Sequence, residues 1–287
     1  MNPVRILLCL NRDLASNVAL NHLLPSLEGH TVLIGLSERV GSVAADEPAP
    51  RQMLRMAEQS FPNEVLFPLI ESLQQADDGN RWLTFAEVER CRGIPVEPLS
   101  AINSPESFAR LTSFLPDLVV TIRYGSILKS AVISLPRFGV LNLHSGILPD
   151  YRGVLATFRA LLNRDARIGC TLHYISDGTI DTGDVVATAS LPVDPRKSLL
   201  GHVLDLYGPG VALVARAIEN LAAGREVRSR PQGPGGTYFS YPSHAEWQAF
   251  RATGHSVLEP AELGALARRY LCDRRLGFLS GWIGPSV

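Results

Sequence analysis

Two strand-length apolar runs flanking a helical stretch open the chain, and this arrangement limits the fold more than any other feature. Residues 4–10 form a short, nearly continuous aliphatic run, as expected for a strand buried on both faces. Asn11, Arg12 and Asp13 supply a turn. Residues 14–27 then place Leu14, Val18, Ala19 and Leu23 at helical spacing, with a stop expected near Pro25. Residues 30–37 read as a second strand. Strand, helix and strand in this order build a parallel βαβ unit, so the expected class is α/β, a mostly parallel Rossmann-like sheet with helices on both faces. The first turn lacks G-x-G-x-x-G, so no dinucleotide site is expected there.

The chemistry is concentrated further on. An apolar run, Phe138-Gly139-Val140-Leu141, leads into Asn142 and His144, and the chain then breaks into a turn marked by Ser145, Gly146 and Pro149. Side chains on a strand alternate faces, so Asn142 and His144 point the same way. A carboxamide beside an imidazole suits acyl transfer, because the amide can hold a developing oxyanion while the imidazole moves a proton. Asp181, in Asp181-Thr182-Gly183, is an acid that could orient that imidazole. Taken alone, N-x-H reads more readily as a turn residue beside a surface histidine.

The longer pattern changes that reading. N-x-H-S-x-x-L-P-x-Y-R-G at 142–153, followed by Thr171-Leu172-His173 and then Asp181-Thr182-Gly183, resembles the formyltransferase family. That family includes glycinamide ribonucleotide transformylases, methionyl-tRNA formyltransferases and nucleotide-sugar N-formyltransferases. The resemblance is strong over residues 117–190 and holds only in outline elsewhere. It implies formyl transfer from 10-formyltetrahydrofolate to a primary amine, with Asn142 at the oxyanion, His144 moving the proton, Asp181 orienting it, and no metal. It also implies that Ser126, Ile127 and Leu128 contact the pterin, and that Asp177, Gly178 and Thr179 lie in the loop covering it. Ile127 and Leu128 read equally well as ordinary core. Arg123 and Tyr124 are not common markers of the family and are expected to help recognise the amine or the glutamate tail of the folate. His173 is a supporting residue, and Asp177 is the competing acid. His173 and Asp181 are eight apart where the family pattern has seven, so the intervening loop is expected to differ in shape. Where glycinamide ribonucleotide transformylases carry G-x-G-S-N, this chain has Asn11 to Asn17 without glycine, which argues against that substrate.

With 287 residues, 46% of them hydrophobic, the chain can bury a sizeable core. The expected division is a catalytic domain at 1–224, carrying a helical insertion at 41–94, and a C-terminal extension at 225–287. Within the insertion, residues 44–50 read as a linker and 52–75 as two helices on the rim of the sheet. Residues 198–223 read as a long helix broken at Gly208-Pro209-Gly210. No apolar run reaches the ~18 residues of a membrane span, and the start has no cleavage signature, so a cytoplasmic protein is expected. Cys9, Cys91, Cys170 and Cys272 lack C-x-x-C spacing, so neither zinc nor a disulfide framework is indicated. The net charge of −1 and the absence of lysine from 225–287 argue against a nucleic-acid partner, and Arg268, Arg269, Arg274 and Arg275 read as a solvated face. The acceptor expected is a small amine, an aminosugar or an amino acid derivative. A homodimer is compatible with this reading. The alternatives are a methionyl-tRNA formyltransferase-like enzyme, a 10-formyltetrahydrofolate hydrolase, and a catalytically idle folate-binding protein.

Overall fold

The computed structural model describes residues 2–38 and 47–272. In chain order the elements are β1 (Arg5–Asn11), α1 (Leu14–Leu27), β2 (Thr31–Ser37), α2 (Ala49–Arg55), α3 (Phe67–Ser72), α4 (Phe85–Arg92), β3 (Val96–Pro98), α5 (Pro105–Phe114), β4 (Leu118–Ile122), α6 (Ser130–Ile133) and β5 (Val140–His144). There follow β6 (Tyr151–Gly153), α7 (Ala156–Leu162), β7 (Arg167–Ile175), β8 (Val185–Pro192), α8 (Leu199–Asp205), α9 (Tyr207–Ala222), β9 (Thr237–Phe239), α10 (His244–Arg251) and α11 (Pro260–Arg268).

The seven-stranded sheet has the order β3-β2-β1-β4-β5-β7-β8. Its first five strands are mutually parallel, while β7 pairs antiparallel with both β5 and β8. The chain runs outward through β1, β2 and β3 and then restarts at β4 on the other side of β1. The crevice where such a sheet binds ligands therefore opens beyond the carboxyl ends of β1 and β4. On β1, Ile6, Leu8 and Leu10 join the larger core on one face, and Leu7 and Cys9 join the smaller core on the other. Helices on both sides of the sheet make this strand apolar from Ile6 to Leu10, which is why its sequence shows no alternation there.

Two expectations about helices are corrected by the packing. A third holds in its bounds: α1 covers Leu14–Leu27, with Pro25 on the exposed side of its last turn, which the buried Leu24 and Leu27 hold in place. Residues 49–72 are not two helices. They form one right-handed helical run, α2, then π-helical turns at Met56–Ser60 and Pro62–Leu66, then α3. The break in the long C-terminal helix falls at Leu206, not at Gly208-Pro209-Gly210. Pro209 sits in the first turn of α9, where a missing N–H is harmless. Gly210 is there for contact, since a Cβ would lie 2.9 Å from Cys170 Sγ and 3.2 Å from Leu143.

The described part of 225–287 packs into the same core as the sheet. Phe158 of α7 packs on Trp247, tilted, and stacks on Phe250 of α10 at ring distances of 4.4 and 4.8 Å. Tyr270 is buried against Phe67 and Trp82, and its hydroxyl donates to Asn17 Oδ1 at 2.6 Å. Strand β9 pairs in parallel with β6, which brings residues 237–239 against the turn after β5. Arg274 and Arg275 lie outside the described residues, as do residues 44–46 of the expected 44–50 linker, while its last two residues open α2. Among the described residues no helix is long and apolar enough to cross a membrane, and no group of three or more His, Cys, Asp or Glu is placed to hold a metal ion.

Candidate active site

Sheet register assembles the centre of the site. Thr121 on β4 is opposite Asn142 on β5, and Asn142 is opposite His173 on β7, so the three side chains form a row across three strands. Thr121 Oγ1 donates to Asn142 Oδ1 at 2.7 Å, which directs the amide nitrogen of Asn142 the other way, 3.0 Å from His173 Nε2. His173 Nδ1 lies 2.8 Å from the Tyr174 carbonyl oxygen, an acceptor. In the neutral ring the proton therefore sits on Nδ1, and Nε2 accepts from Asn142. The second Nδ2 hydrogen of Asn142 has a long contact, 3.4 Å, with Asp181 Oδ1.

His144, at the end of β5, faces the same way. Its Nε2 is 2.6 Å from the Tyr151 carbonyl oxygen, so the neutral ring carries its proton there and leaves Nδ1 bare. Asp181 Oδ2 is 3.5 Å from that Nδ1. Burial pushes the His144 pKa below its ordinary value of 6.5, and the neighbouring carboxylate and the Tyr151 carbonyl oppose the fall without reversing it. The ring is thus neutral near pH 7, with a free basic nitrogen.

Asp181 is placed by a loop under constraint. Its φ of 55° is left-handed, a region that non-glycine residues seldom occupy. Gly153 N–H donates to Oδ2 at 2.8 Å, and Gln232 Nε2 donates to the carbonyls of Asp181 at 2.9 Å and Gly183 at 2.7 Å. Gly183 admits no side chain, because a Cβ would meet the Tyr174 carbonyl oxygen at 1.9 Å. Burial resists ionisation of Asp181, but His144, His173 and the Gly153 N–H together hold its carboxyl below the usual range. Asp177, the competing acid, is exposed and accepts from Thr179 N at 2.7 Å, facing neither imidazole.

Two cavities open on this centre. The smaller, about 140 Å³, is lined by Ser126, Ile127, Leu128, Ile175, Asp177, Gly178, Thr179 and Ile180, together with Asn142, His173 and Asp181. Both trios expected at the pterin therefore lie in one wall. Ile127 is 59% exposed and Leu128 only 3%, so of the two only Leu128 is core. The larger cavity, about 800 Å³, runs from Asn142, His144 and Asp181 to the helical run at 49–72 and to Tyr241. Tyr124, Asn142 and Asp181 line both. Arg123 lines the larger one, but its guanidinium is held by Asp13 and Glu58 at 3.0 Å each. Tyr124 donates its hydroxyl to the Leu99 carbonyl. Asp13 also caps α1, accepting from Ser16 N at 2.7 Å, so a carboxylate of the chain itself occupies the helix N-terminus where an anion would otherwise sit.

Residues 75–202 match the model of the family described as Formyl transferase. This segment is of the formyl transferase family. Among curated relatives it is similar to a methionyl-tRNA formyltransferase of Aromatoleum aromaticum, 34% identical over 161 residues, which are 54% of this chain and 50% of the relative. A methionyl-tRNA formyltransferase of Methylacidiphilum infernorum is 36% identical over 130 residues, 44% of this chain and 39% of that one. The chain spans about half or less of the length of these relatives. The fold is that of a glycinamide ribonucleotide transformylase from Symbiobacterium toebii, with TM-score 0.55 and 16% identity over 80% of this chain and 95% of that one. It is equally that of an N-formyltransferase from Helicobacter canadensis crystallised with folinic acid and dTDP-3-aminofucose, with TM-score 0.51 and 15% identity over 82% and 70% of the two chains.

The formyl transferase segment contains Asn142, His144, His173, Asp181 and the whole of the smaller cavity's lining, but not Gln232, Tyr241 or the helical run at 49–72. Sequence reasoning missed Thr121, the Tyr151 carbonyl and Gln232. Thr121 could have been found from its place in the strand that pairs with β5. Tyr151 stands in the 142–153 motif, but its backbone carbonyl gives no side-chain signal, and Gln232 acts from 51 and 49 residues away, where nothing local marks it.

Proposed function

We propose that this chain transfers a formyl group from 10-formyltetrahydrofolate to the primary amine of a small metabolite. The observation that carries the reading is the meeting of Asn142 and Asp181, which line both cavities, with His144, which lines the larger one beside them. The smaller cavity suits a flat pterin: Ile127, Leu128, Ile175 and Ile180 offer apolar walls, and the 126–128 and 177–180 segments offer peptide groups at its edge. When bound, 10-formyltetrahydrofolate supplies an activated formyl carbon, which gains a bond to the amine nitrogen as its bond to N10 breaks, leaving a formamide and tetrahydrofolate.

In this reading the bare Nδ1 of His144 takes the proton that the attacking amine sheds and returns it to the departing nitrogen. Asp181 stabilises the imidazolium formed in between, while the Tyr151 carbonyl keeps the ring from turning. Asn142 directs an Nδ2 hydrogen to the developing oxyanion, for which it gives up only its 3.4 Å contact to Asp181. Residues 1–224 form the catalytic unit, with the 41–94 insertion walling the acceptor side and 225–287 bracing the Asp181 loop through Gln232.

The test is an assay of purified protein with 10-formyltetrahydrofolate, with and without a panel of aminosugars, diamines and amino acids. Amine-dependent release of tetrahydrofolate, one for one with formamide, is expected; release that ignores the amine would indicate a hydrolase. The similarity to methionyl-tRNA formyltransferases favours a second reading, in which the acceptor is a tRNA-borne amine. Turnover on methionyl-tRNA that falls steeply with salt, with none on small amines, would establish it instead.

A further inference from the structure

The neutral ring of His144 has one proton and two acceptors that compete for it. The Tyr151 carbonyl oxygen lies 2.6 Å from Nε2, and the Asp181 carboxylate lies 3.5 Å from Nδ1. A carboxylate is the stronger acceptor of the two kinds, so only the closer approach of the carbonyl keeps the proton on Nε2. If the carbonyl drew back, the proton would move to Nδ1 and be held there by Asp181. A protonated Nδ1 on a neutral ring cannot take a proton from an attacking amine. The basic nitrogen of the site therefore depends on where the Tyr151 carbonyl is held.

That carbonyl is fixed through the side chain of its own residue. The Tyr151 phenol donates to Asp165 Oδ2 at 2.5 Å, a charge-assisted bond, and accepts from Asn163 Nδ2 at 3.1 Å. Both partners lie in the turn between α7 and β7, where Arg164 has a left-handed φ of 59° and the Asp165 N–H donates to the Ala160 carbonyl at 3.0 Å. The Tyr151 ring also stacks on Phe239, with centres 6.0 Å apart, and the Tyr151 N–H donates to the Ile147 carbonyl at 3.0 Å. A phenylalanine would serve the stacking alone; the hydroxyl and its two partners fix where along the stack the ring sits. Gly146 closes over the contact that results, since a Cβ there would lie 2.8 Å from His144 Nε2 and 2.9 Å from the Tyr151 carbonyl oxygen. Tyr151, Asn163 and Asp165 line neither of the two cavities.

We propose that Tyr151 is a positioning residue: its phenol, bound by Asp165 and Asn163, holds the Tyr151 carbonyl on His144 Nε2 and so keeps the Nδ1 that faces Asp181 free of a proton. For its effect on rate the inference rests on the formyl-transfer reading. The three side chains act through His144 and stand away from the cavities, so their loss shows in turnover and not in the binding of either substrate.

The experiment pairs kinetics with heteronuclear NMR of protein labelled at its histidine ring nitrogens, which reads the tautomer of neutral His144 without turnover. In the wild-type protein the proton is expected on Nε2. In Tyr151→Phe, which keeps the ring stack, a substantial fraction should appear on Nδ1, and kcat should fall by about tenfold or more while KM for folate and amine stays within about twofold. Asp165→Ala should reproduce both effects. Asp165→Asn, whose side-chain oxygen can still accept from the phenol, should reverse most of them. Where Tyr151→Phe fails to fold, the two Asp165 variants carry the comparison. A phenol that served stability alone would leave the tautomer where it is. A proton that stays on Nε2 in folded Tyr151→Phe or Asp165→Ala would therefore overturn the inference whatever kcat does, as would unchanged kcat in a variant whose proton has moved. If the wild-type protein moves no formyl group to any amine, the formyl-transfer reading fails, and the spectra still decide whether the phenol sets the tautomer.

Discussion

Asn142 has little freedom: one end of its amide accepts from Thr121 and the other donates to His173, so the carboxamide cannot flip without losing both bonds. Its truncation should therefore remove an already aimed donor. Asn142→Ala is expected to lower kcat by roughly 10²–10³ with a smaller change in folate affinity, measured by steady-state kinetics and a separate binding titration. If folate binding is lost and kcat is kept, Asn142 serves binding only. For His144 the expectation concerns pH. In the proposed mechanism the neutral ring is the reactive form, and burial lowers its pKa, so kcat/KM should fall on the acid side with a midpoint below the ordinary histidine value of 6.5. The carboxylate at 3.5 Å works against burial, and Asp181→Asn should move that limb to still lower pH as well as reducing kcat. A pH–rate profile of both proteins decides this, and an acid limb that stays in place in the variant would detach Asp181 from the imidazole.

At the scale of elements, the Asp181 loop is held in place by contacts from well outside it. Gln232 donates to two carbonyls of that loop, and Gly153, in the short β6–β9 pairing, donates to the carboxylate itself. Gln232→Ala should leave the protein folded, cost about 1–2 kcal/mol, and reduce kcat more than it raises KM for the amine, because the loop carries Asp181 away from His144. Unchanged kcat in a folded variant would count against the clamp. These contacts also mark how far the sequence could be read. Asn142 and His144 were legible because strand alternation is local, and Asp181 because a short motif surrounds it. Gln232 was not, since its partners lie 51 and 49 residues away. The first βαβ unit was legible from its apolar runs. The helical run at 49–72 looked like two helices because its π turns shift the apolar spacing, and the glycines near 208–210 suggested a kink where Gly210 serves instead as a close contact.

For the molecule as a whole, residues 225–272 are tied to the sheet by large aromatic contacts and not by a linker. Trp247 is fully buried against Phe158 and Phe250, and Trp247→Ala should lower stability by about 3–5 kcal/mol in a denaturant titration, with one cooperative transition. A loss under about 1 kcal/mol, or two transitions, would mean that this part unfolds by itself. The two cavities, finally, share Tyr124, Asn142 and Asp181 in their walls. Adjacent hollows with a common partition are open to a single tethered molecule. In the proposed reading, a pterin-like fragment joined by a short linker to an amine-bearing fragment would occupy both while surrendering its translational freedom once, so its affinity should far exceed that of either half. In the proposed reading, the partition at which two substrates meet thus also makes the protein vulnerable to one inhibitor.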